Sequence, residues 1–217
     1  MPEPLPANRL ERLAPGNLRF AEAYMGVRKA LPGRNYQMKI TLKGIRPPIW
    51  RRVQVPGTIR LARFHAVIQT VFGWTDSHLH EFLINGESYG RPADFDEDVV
   101  DEAKLSLAQS VGQGKRFLYV YDFGDDWEHE ILVEKIIAGD SGSERPLCLA
   151  GKRHRPPEDC GGPWGYREFL KAIGDPGHAE HDAMLDWVGG EFDSEAFDIA
   201  AVNRALAALS TRKWRVQ

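Results

Sequence analysis

Polar and apolar residues alternate near the start of the folded part of the chain, and the alternation predicts two β-strands. Tyr36–Leu42 has the two-residue period of a strand that buries one face, and Ile49–Val55 is a second segment of this kind. Pro47 and Pro48 lie between them. Because proline has no amide hydrogen to donate to a sheet, the chain is expected to turn there.

The spacing of the apolar residues then changes to that of a helix. Residues 59–72 are predicted to form an amphipathic helix that ends at Gly73. His65 lies on its apolar side, where we favour a buried, hydrogen-bonded histidine. The apolar side consists of Leu61, Phe64, His65, Ile68, Val71 and Phe72.

The next part of the chain is predicted to form two hairpins. The first begins at His78, turns at Asn85–Gly86 and returns through Glu87–Tyr89. The second is centred on Tyr121–Glu130, where a turn rich in Gly and Asp separates two segments rich in β-branched and aromatic residues. The two-residue period puts His129 on the core-facing side of its strand.

The last third of the chain is predicted to be helical. Residues 148–166 contain prolines and glycines and are interpreted as a long irregular loop. Helices are expected at Tyr166–Ile173, at Ala179–Val188 and from about Ile199 to Leu209. We therefore predict an α+β fold, in which a twisted, mostly antiparallel sheet packs on the 59–72 helix and a helical C-terminal third follows.

Length, charge and hydropathy exclude some classes of protein. The 217 residues fit one domain at 35–210, with a partly disordered N-terminal extension at 1–34 and a short tail at 211–217. The net charge of −3 disfavours wholesale coating of DNA. No apolar run approaches the roughly 18 residues that a membrane-spanning helix needs.

Two features predict a reducing, cytoplasmic location. The N-terminus lacks the basic segment and following apolar segment of a secretory signal. The chain has two cysteines, and in the cytosol such a pair is more often free or metal-bound than joined in a structural disulfide.

Five distinctive motifs follow one another between about Tyr36 and Leu209. They are P-P-I-W-R-R at Pro47–Arg52, G-W-T-D-S-H-L-H-E-F at Gly73–Phe82, Y-D-F-G-D-D-W-E-H at Tyr121–His129, P-P-E-D-C-G-G-P-W-G-Y at Pro156–Tyr166 and G-G-E-F-D-S-E-A-F-D at Gly189–Asp198. Together they closely resemble the plasmid pRiA4b ORF-3-like family. The resemblance implies an α+β fold with β-grasp character and an origin in bacterial plasmids and insertion elements. It implies no established activity, although some members are described as resolvases.

The residues do not support the strand exchange that a resolvase performs. A serine recombinase needs a nucleophilic serine among arginines in an N-terminal domain, followed by a helix-turn-helix, and the sequence has neither that order nor a basic recognition helix. A tyrosine recombinase needs a C-terminal tyrosine, whereas the last tyrosine here is Tyr166, within a segment rich in Gly and Pro. Recombinase activity is therefore not expected.

Cys148, His154 and Cys160 form one candidate site. Their C-x5-H-x5-C spacing offers three ligands of the kind that Zn²⁺ prefers, and a fourth would come from Asp159, another histidine or water. The alternative is two buried thiols with an exposed histidine between arginines. Zinc is the cofactor that the sequence suggests.

A second candidate site combines histidines with the acidic hairpin turn. His80, Asp122 and His129 are the candidate catalytic residues, because imidazoles and carboxylates on neighbouring strands could bind a divalent metal or transfer protons. The alternatives are a structural Asp–His hydrogen bond and aspartates that accept from turn amides. The constellation also includes His78, Asp125 and Asp126.

The loop between the cysteines is a candidate contact surface. Arg153 and Arg155, with Trp164 and Tyr166, have the basic and aromatic character that suits contacts with phosphates and bases. A basic loop that balances the acidic residues 91–102 is the alternative, and that acidic run is interpreted as a solvated loop.

These observations favour a non-enzymatic accessory protein of mobile elements that binds an unidentified protein or nucleic acid and is stabilised by zinc. The alternative is a metal-dependent hydrolase at the His/Asp site. The sequence does not identify the substrate, the partner or the oligomeric state.

Overall fold

The computed structural model describes residues 34–95, 99–138 and 145–211, which form an eight-stranded sheet with helices against it. The strands are β1 (Arg34–Leu42), β2 (Trp50–Pro56), β3 (His80–Ile84), β4 (Glu87–Gly90), β5 (Val100–Asp101), β6 (Arg116–Tyr121), β7 (Trp127–Ala138) and β8 (Leu147–Lys152). Their order is β5–β4–β3–β6–β7–β1–β2–β8. All neighbours are antiparallel except β4 and β5. The predicted α+β fold with a mostly antiparallel sheet is confirmed.

The α-helices in the described part of the chain comprise one that covers the sheet, one single-turn helix before β6 and a C-terminal group of three. Those of the described residues are α1 (Leu61–Phe72), α2 (Leu107–Ser110), α3 (Gly162–Gly174), α4 (His181–Trp187) and α5 (Ile199–Thr211). The helices predicted after residue 166 correspond to α3, α4 and α5, with ends that differ by up to four residues. None of these helices is long and apolar enough to cross a membrane.

The core lies between α1 and one face of the sheet. Phe64 of α1 stacks on Phe82 of β3 with 6.0 Å between the ring centroids, and it meets Phe117 of β6 at 6.5 Å. Apolar residues three and four apart share one side of a helix, so α1 presents a continuous buried side to the strands. Gly73 ends α1 with a φ of 85°, in the left-handed region that glycine adopts without strain.

A buried arginine ties α1 to the β8 edge of the sheet. Arg51 of β2 is 2% exposed, and its guanidinium lies 5.0 Å from the ring of Phe72 and 4.3 Å from that of Phe197. Burial lowers the pKa of Arg51 to about 10, so the group stays charged at neutral pH. The guanidinium donates to the backbone carbonyls of Trp50, Val71, Lys152 and Arg153.

Strand β8 shows that the prediction of an irregular loop over 148–166 was wrong at its start. Gly151 belongs in the strand because a Cβ there would lie 2.5 Å from the ring of Phe197. Asn203 of α5 closes the open edge of β8, since its side-chain amide accepts from Cys148 N–H at 2.8 Å and donates to Cys148 O at 3.0 Å. The glycine makes room for a distant side chain and does not break the strand.

The other differences at element ends are small. β3 begins at His80, which pairs with Tyr121, and His78 precedes the strand. α1 begins at Leu61 and not at residue 59. Residues 1–33 and 212–217 lie outside the described part of the chain, so the predictions about the N-terminal extension and the tail stay predictions.

Candidate functional site

Three loops meet at one end of the sheet, and we call this place the three-loop junction. It consists of residues 73–79 between α1 and β3, residues 122–126 between β6 and β7, and residues 153–161 between β8 and α3. The Asp122 N–H donates to Leu79 O at 2.9 Å. The Gly161 N–H donates to Asp125 Oδ2 at 3.1 Å, which joins the third loop to the second.

Aspartates shape the turns of the junction. Asp122, Asp126 and Asp159 have φ angles of 59°, 53° and 56°, in the left-handed region that Asp tolerates better than most residues. Asp122 Oδ1 accepts from the amides of Gly124 at 2.9 Å and Asp125 at 3.3 Å. One oxygen of Asp122 therefore serves the turn, as the alternative interpretation expected, and the other is left for the junction.

His78 faces three carboxylates from two of the loops. Its Nε2 lies 3.1 Å from Asp159 Oδ1, 3.7 Å from Asp122 Oδ2 and 4.0 Å from Glu158 Oε2. The ring is held edge-on against Tyr121, with 5.8 Å between the centroids. Despite these neighbours, the buried Nε2 atom makes no hydrogen bond.

Glu158 uses one carboxylate oxygen and leaves the other unpaired. Oε1 accepts from the N–H and the hydroxyl of Thr75, each at 2.9 Å, and from the Tyr121 hydroxyl at 3.4 Å. Oε2 is buried without a hydrogen bond and faces His78. Because buried polar atoms are nearly always paired, two unpaired atoms facing each other mark this place as unusual.

A second polar cluster, the buried histidine network, lies between α1 and the sheet. Gln69 Nε2 donates to the Tyr119 hydroxyl at 2.9 Å, and that hydroxyl donates to His65 Nδ1 at 2.8 Å. His65 Nε2 in turn donates to Asp76 Oδ1 at 2.9 Å. Each of the four side chains in this series of hydrogen bonds has a partner when His65 is neutral with its proton on Nε2. Burial lowers the pKa of His65, which favours that neutral form.

His80 belongs to the same network. Its Nε2 lies 3.0 Å from Glu102 Oε2, and the two side chains are only 1% and 2% exposed. The ring stacks on that of His65, with 3.6 Å between the centroids and 10° between the planes. The interpretation of residues 91–102 as a solvated loop is therefore wrong for Glu102.

His129 is enclosed in the core. Its Nδ1 donates to Trp127 O at 2.9 Å, and its Nε2 accepts from the indole N–H of Trp74 at 3.2 Å. Burial lowers the pKa of His129 to about 4, so the ring is neutral at physiological pH. Both nitrogens are occupied and neither reaches solvent.

The structure does not gather the candidate catalytic residues into one site. His80 and Asp122 lie in different clusters, and His129 lies in neither, because Tyr119 fills the space beside both His80 and His129. The three residues therefore do not share a cluster of ligand atoms, and the hydrolase alternative stays a prediction. In the described ranges, the groups with ligand atoms within 4.8 Å of one another are His65–Asp76–His80 and His78–Asp122–Asp159.

The candidate zinc ligands are also separated. Cys148 lies within β8 and His154 lies beyond its end, and a strand advances about 3.3 Å per residue. Burial raises the pKa of the Cys160 thiol to about 12 and also raises that of Cys148, which favours the protonated thiols. No trio of these ligands lies within 4.8 Å among the residues that the structure describes.

The predicted contact surface is reduced to one aromatic residue. Trp164 is 67% exposed, whereas Tyr166 is 2% exposed and stacks on Phe169 within the helical layer. Tyr166 faces inward because α3 begins at Gly162, which puts residues 166 and 169 on the buried side of a helix.

The two arginines of that surface hold loops together. Arg153 pairs with Glu195 at 2.6 Å. Arg155 donates to Gly73 O at 2.7 Å, and its guanidinium lies 4.9 Å from the ring of Trp74. Because these contacts use the guanidinium groups inside the molecule, the predicted phosphate contacts have no support from their positions.

Comparison with known proteins identifies the family of the chain and a solved structure of the same fold. The model of the family described as plasmid pRiA4b ORF-3-like protein matches residues 34–201. The chain belongs to this family. It is 42% identical over 182 residues to "Uncharacterized protein y4hQ" of Sinorhizobium fredii (strain NBRC 101917 / NGR234), covering 82% of this chain and 93% of that protein. It also matches the crystal structure of a protein of unknown function, MM3350 from Methanosarcina mazei Go1, with a TM-score of 0.72 and 40% identity. That match covers 77% of this chain and 97% of the solved chain.

The motifs that carry the pRiA4b ORF-3-like resemblance converge in space. Three of the five, Gly73–Phe82, Tyr121–His129 and Pro156–Tyr166, supply the loops of the junction. Sequence reasoning named His78 and Asp122 in one site and Asp159 in another, and it missed Glu158. The signal for Glu158 was its place beside Asp159, in an acidic pair that follows two prolines.

Proposed function

We propose that the chain is a non-enzymatic protein-interaction module that binds its partner through α4 and the start of α3. The observation that carries this proposal is the composition of α4, which contains Ala183, Met184, Leu185 and Trp187 and has no buried residue. Met184 packs partly against the core, whereas Ala183 and Trp187 stay exposed, and exposed apolar side chains beside a packed helix are typical of a surface that another protein covers.

Two tryptophans strengthen the proposal. Trp187 is 47% exposed and Trp164 is 67% exposed, although a tryptophan normally buries most of its large surface. Trp187 also contacts Phe169 of α3 edge-on at 5.8 Å, so it is held in a fixed position. Exposed aromatic residues on a fixed support are the usual anchors of protein interfaces.

The charge around α4 favours a protein over a nucleic acid. Residues 175–198 contain eight acidic residues and no lysine or arginine. Such a segment repels phosphates, whereas it complements a basic rim on a protein partner. The family is named after an open reading frame of a plasmid, which suits an accessory protein of a mobile element. The partner would then be another protein of that element or of its host.

Site-specific photo-crosslinking in the natural host tests the proposal. A photoreactive amino acid at Asp182, in the exposed first turn of α4, is expected to capture a defined protein, and Trp187→Ser is expected to abolish the capture. The matched control carries the same amino acid at Glu130, which is 45% exposed on the opposite face of the sheet. Equal capture from both positions, or none from Asp182, would contradict the proposal. A crosslinked dimer would identify the partner as a second copy of the chain.

A further inference from the structure

We infer that the three-loop junction binds one divalent first-row transition-metal ion through His78 Nε2 and the carboxylates of Asp122, Glu158 and Asp159. This site is independent of the partner surface on α4. It also differs from the Cys148–His154–Cys160 set that the spacing of the sequence suggested.

Two buried atoms at the junction have no partner. His78 Nε2 and Glu158 Oε2 are both inaccessible to solvent and without hydrogen bonds, and they face each other across 4.0 Å. Asp122 is also enclosed, with 8% of its side chain exposed, and its Oδ2 points at the same nitrogen. A buried nitrogen and a buried carboxylate oxygen are costly to leave unpaired, and a cation between them would satisfy both.

The ligand atoms are spaced closely enough to approach one ion. The three oxygens lie 3.1, 3.7 and 4.0 Å from Nε2. Metal–ligand bonds of about 2.0–2.2 Å give neighbouring ligands a separation of about 3.0–3.6 Å, and opposite ligands of an octahedron one of about 4.2 Å. The ligand atoms of His78, Asp122 and Asp159 all lie within 4.8 Å of one another, so small movements bring these three onto one ion, and Glu158 Oε2 would move in from its place 4.0 Å from Nε2.

The carboxylate oxygens around His78 Nε2 are not aligned for a hydrogen bond. A proton on His78 Nε2 could bond to one carboxylate, yet Asp159 Oδ1 at 3.1 Å does not accept a bond with acceptable angles. Hydrogen bonds need alignment with a single N–H, whereas a metal ion accepts ligands from several sides. The arrangement of three carboxylates around one imidazole nitrogen therefore suits an ion better than a proton.

The ligand types indicate the class of ion. One imidazole with three carboxylates is a mixed nitrogen and oxygen set, which suits Zn²⁺ or Mn²⁺ better than Mg²⁺ or Ca²⁺, whose protein ligands are oxygens. Asp159 is 71% exposed, which gives the ion an entry path from solvent. The other three ligands are less exposed, with 27% of the side chain for His78, 16% for Glu158 and 8% for Asp122.

Calorimetric titration of the chelator-treated full chain with ZnCl₂ and with MnCl₂ tests the inference. We expect about one ion per chain. Asp159→Asn is the most informative variant, because asparagine also tolerates a left-handed backbone and the side chain is exposed, so the fold is preserved. Asp159→Asn and His78→Gln should each weaken binding of the ion by more than about 10-fold. A loss of about 10-fold is the least that is seen when only an outer-shell partner of a metal ligand is removed.

Two controls separate this site from its competitors. Asp182→Asn removes the same charge from the surface of α4 and should bind as the wild type does. The double variant Cys148→Ser with Cys160→Ser should also keep its ion. The inference is overturned if the wild type binds no ion, if His78→Gln and Asp159→Asn bind as tightly as the wild type, or if the cysteine variant alone loses the ion. These metal titrations do not involve a partner protein, so their outcome does not affect the proposed function of α4.

Discussion

The buried histidine network and the three-loop junction contain the same kinds of side chain and lie next to each other. His80 and His78 are two residues apart, yet they behave in opposite ways. His80 contacts Glu102 at 3.0 Å, while His78 has three carboxylates within 4.0 Å and no hydrogen bond. Composition does not distinguish the two places, but in the junction the unpaired histidine nitrogen faces an unpaired carboxylate oxygen, whereas in the network the carboxylate of Glu102 is paired with His80.

The orientation of the rings explains why only the junction suits a metal ion. His65 and His80 stack face to face, 10° from parallel, so their in-plane lone pairs run side by side and do not converge on one point. Both His65 nitrogens are already hydrogen-bonded. One buried nitrogen of the network, His80 Nδ1, has no partner, but the neighbouring ligand atoms of His65 and Asp76 are already hydrogen-bonded to each other. Proximity of ligand-type residues is therefore a weaker criterion than unpaired atoms that face a common point.

The largest effect is predicted for removal of the His80–Glu102 contact in the buried histidine network. His80→Phe keeps the volume of the side chain but leaves Glu102 as a buried carboxylate without its partner. We expect a loss of about 3–5 kcal/mol in the free energy of unfolding, measured with urea. Adding Glu102→Leu should recover part of that loss, because the uncompensated charge is gone. A double variant that is less stable than the single one would show that the charge is not the cause.

The next effect is a dependence of stability on pH that arises in the core. The pKa of His129 is about 4 in the folded chain and about 6.5 when unfolded. Below pH 6.5 His129 is therefore protonated in the unfolded chain but stays neutral in the folded chain. The free energy of unfolding then falls as the pH decreases toward 4. From His129 alone we expect a loss of about 2 kcal/mol between pH 7 and pH 5 in urea unfolding. His129→Gln should flatten this slope, and an unchanged slope would disprove the assignment.

A smaller effect concerns the shared hydroxyl of the network. Tyr119→Phe removes the group that donates to His65 and accepts from Gln69, and it leaves both partners buried. We expect a loss of about 1–2 kcal/mol in the free energy of unfolding. An unchanged free energy of unfolding in Tyr119→Phe would contradict the role of this hydroxyl as the shared partner of His65 and Gln69.

The smallest effect is predicted for the junction without metal. His78→Gln in chelator-treated protein should change the free energy of unfolding by less than about 1 kcal/mol, because His78 Nε2 makes no hydrogen bond to lose. With Zn²⁺ present, the wild type should melt at a higher temperature and the variant should not. A thermal scan with and without the ion checks both statements, and a large loss in the metal-free state would contradict the contrast with His80.

Elements whose residues follow a regular period were predictable from the sequence. The α1 helix was predicted from apolar residues three and four apart, because one side of it must face the sheet. His65 was correctly interpreted as a buried, hydrogen-bonded histidine, since it shares that apolar side. In these cases local pattern and burial agree.

Features that depend on distant partners were not predictable in this way. Gly151 was interpreted as a break in regular structure, whereas it makes room in β8 for Phe197, 46 residues further along the chain. Glu102 was interpreted as solvated, although the pairing of β4 with β5 brings it to His80. His78 and Asp122 were placed in one hypothesis, Asp159 in another and Glu158 in neither, because nothing in the spacing tells which loops meet.

Anomalous diffraction from crystals grown with Zn²⁺ tests the central claim most directly. The account predicts one anomalous peak in the three-loop junction, about 2.0–2.2 Å from His78 Nε2 and from carboxylate oxygens of Asp122, Glu158 and Asp159. It also predicts no peak at His65, Asp76 and His80, where the rings are stacked. A peak in the histidine network or at Cys148 and Cys160, with none at His78, would contradict it.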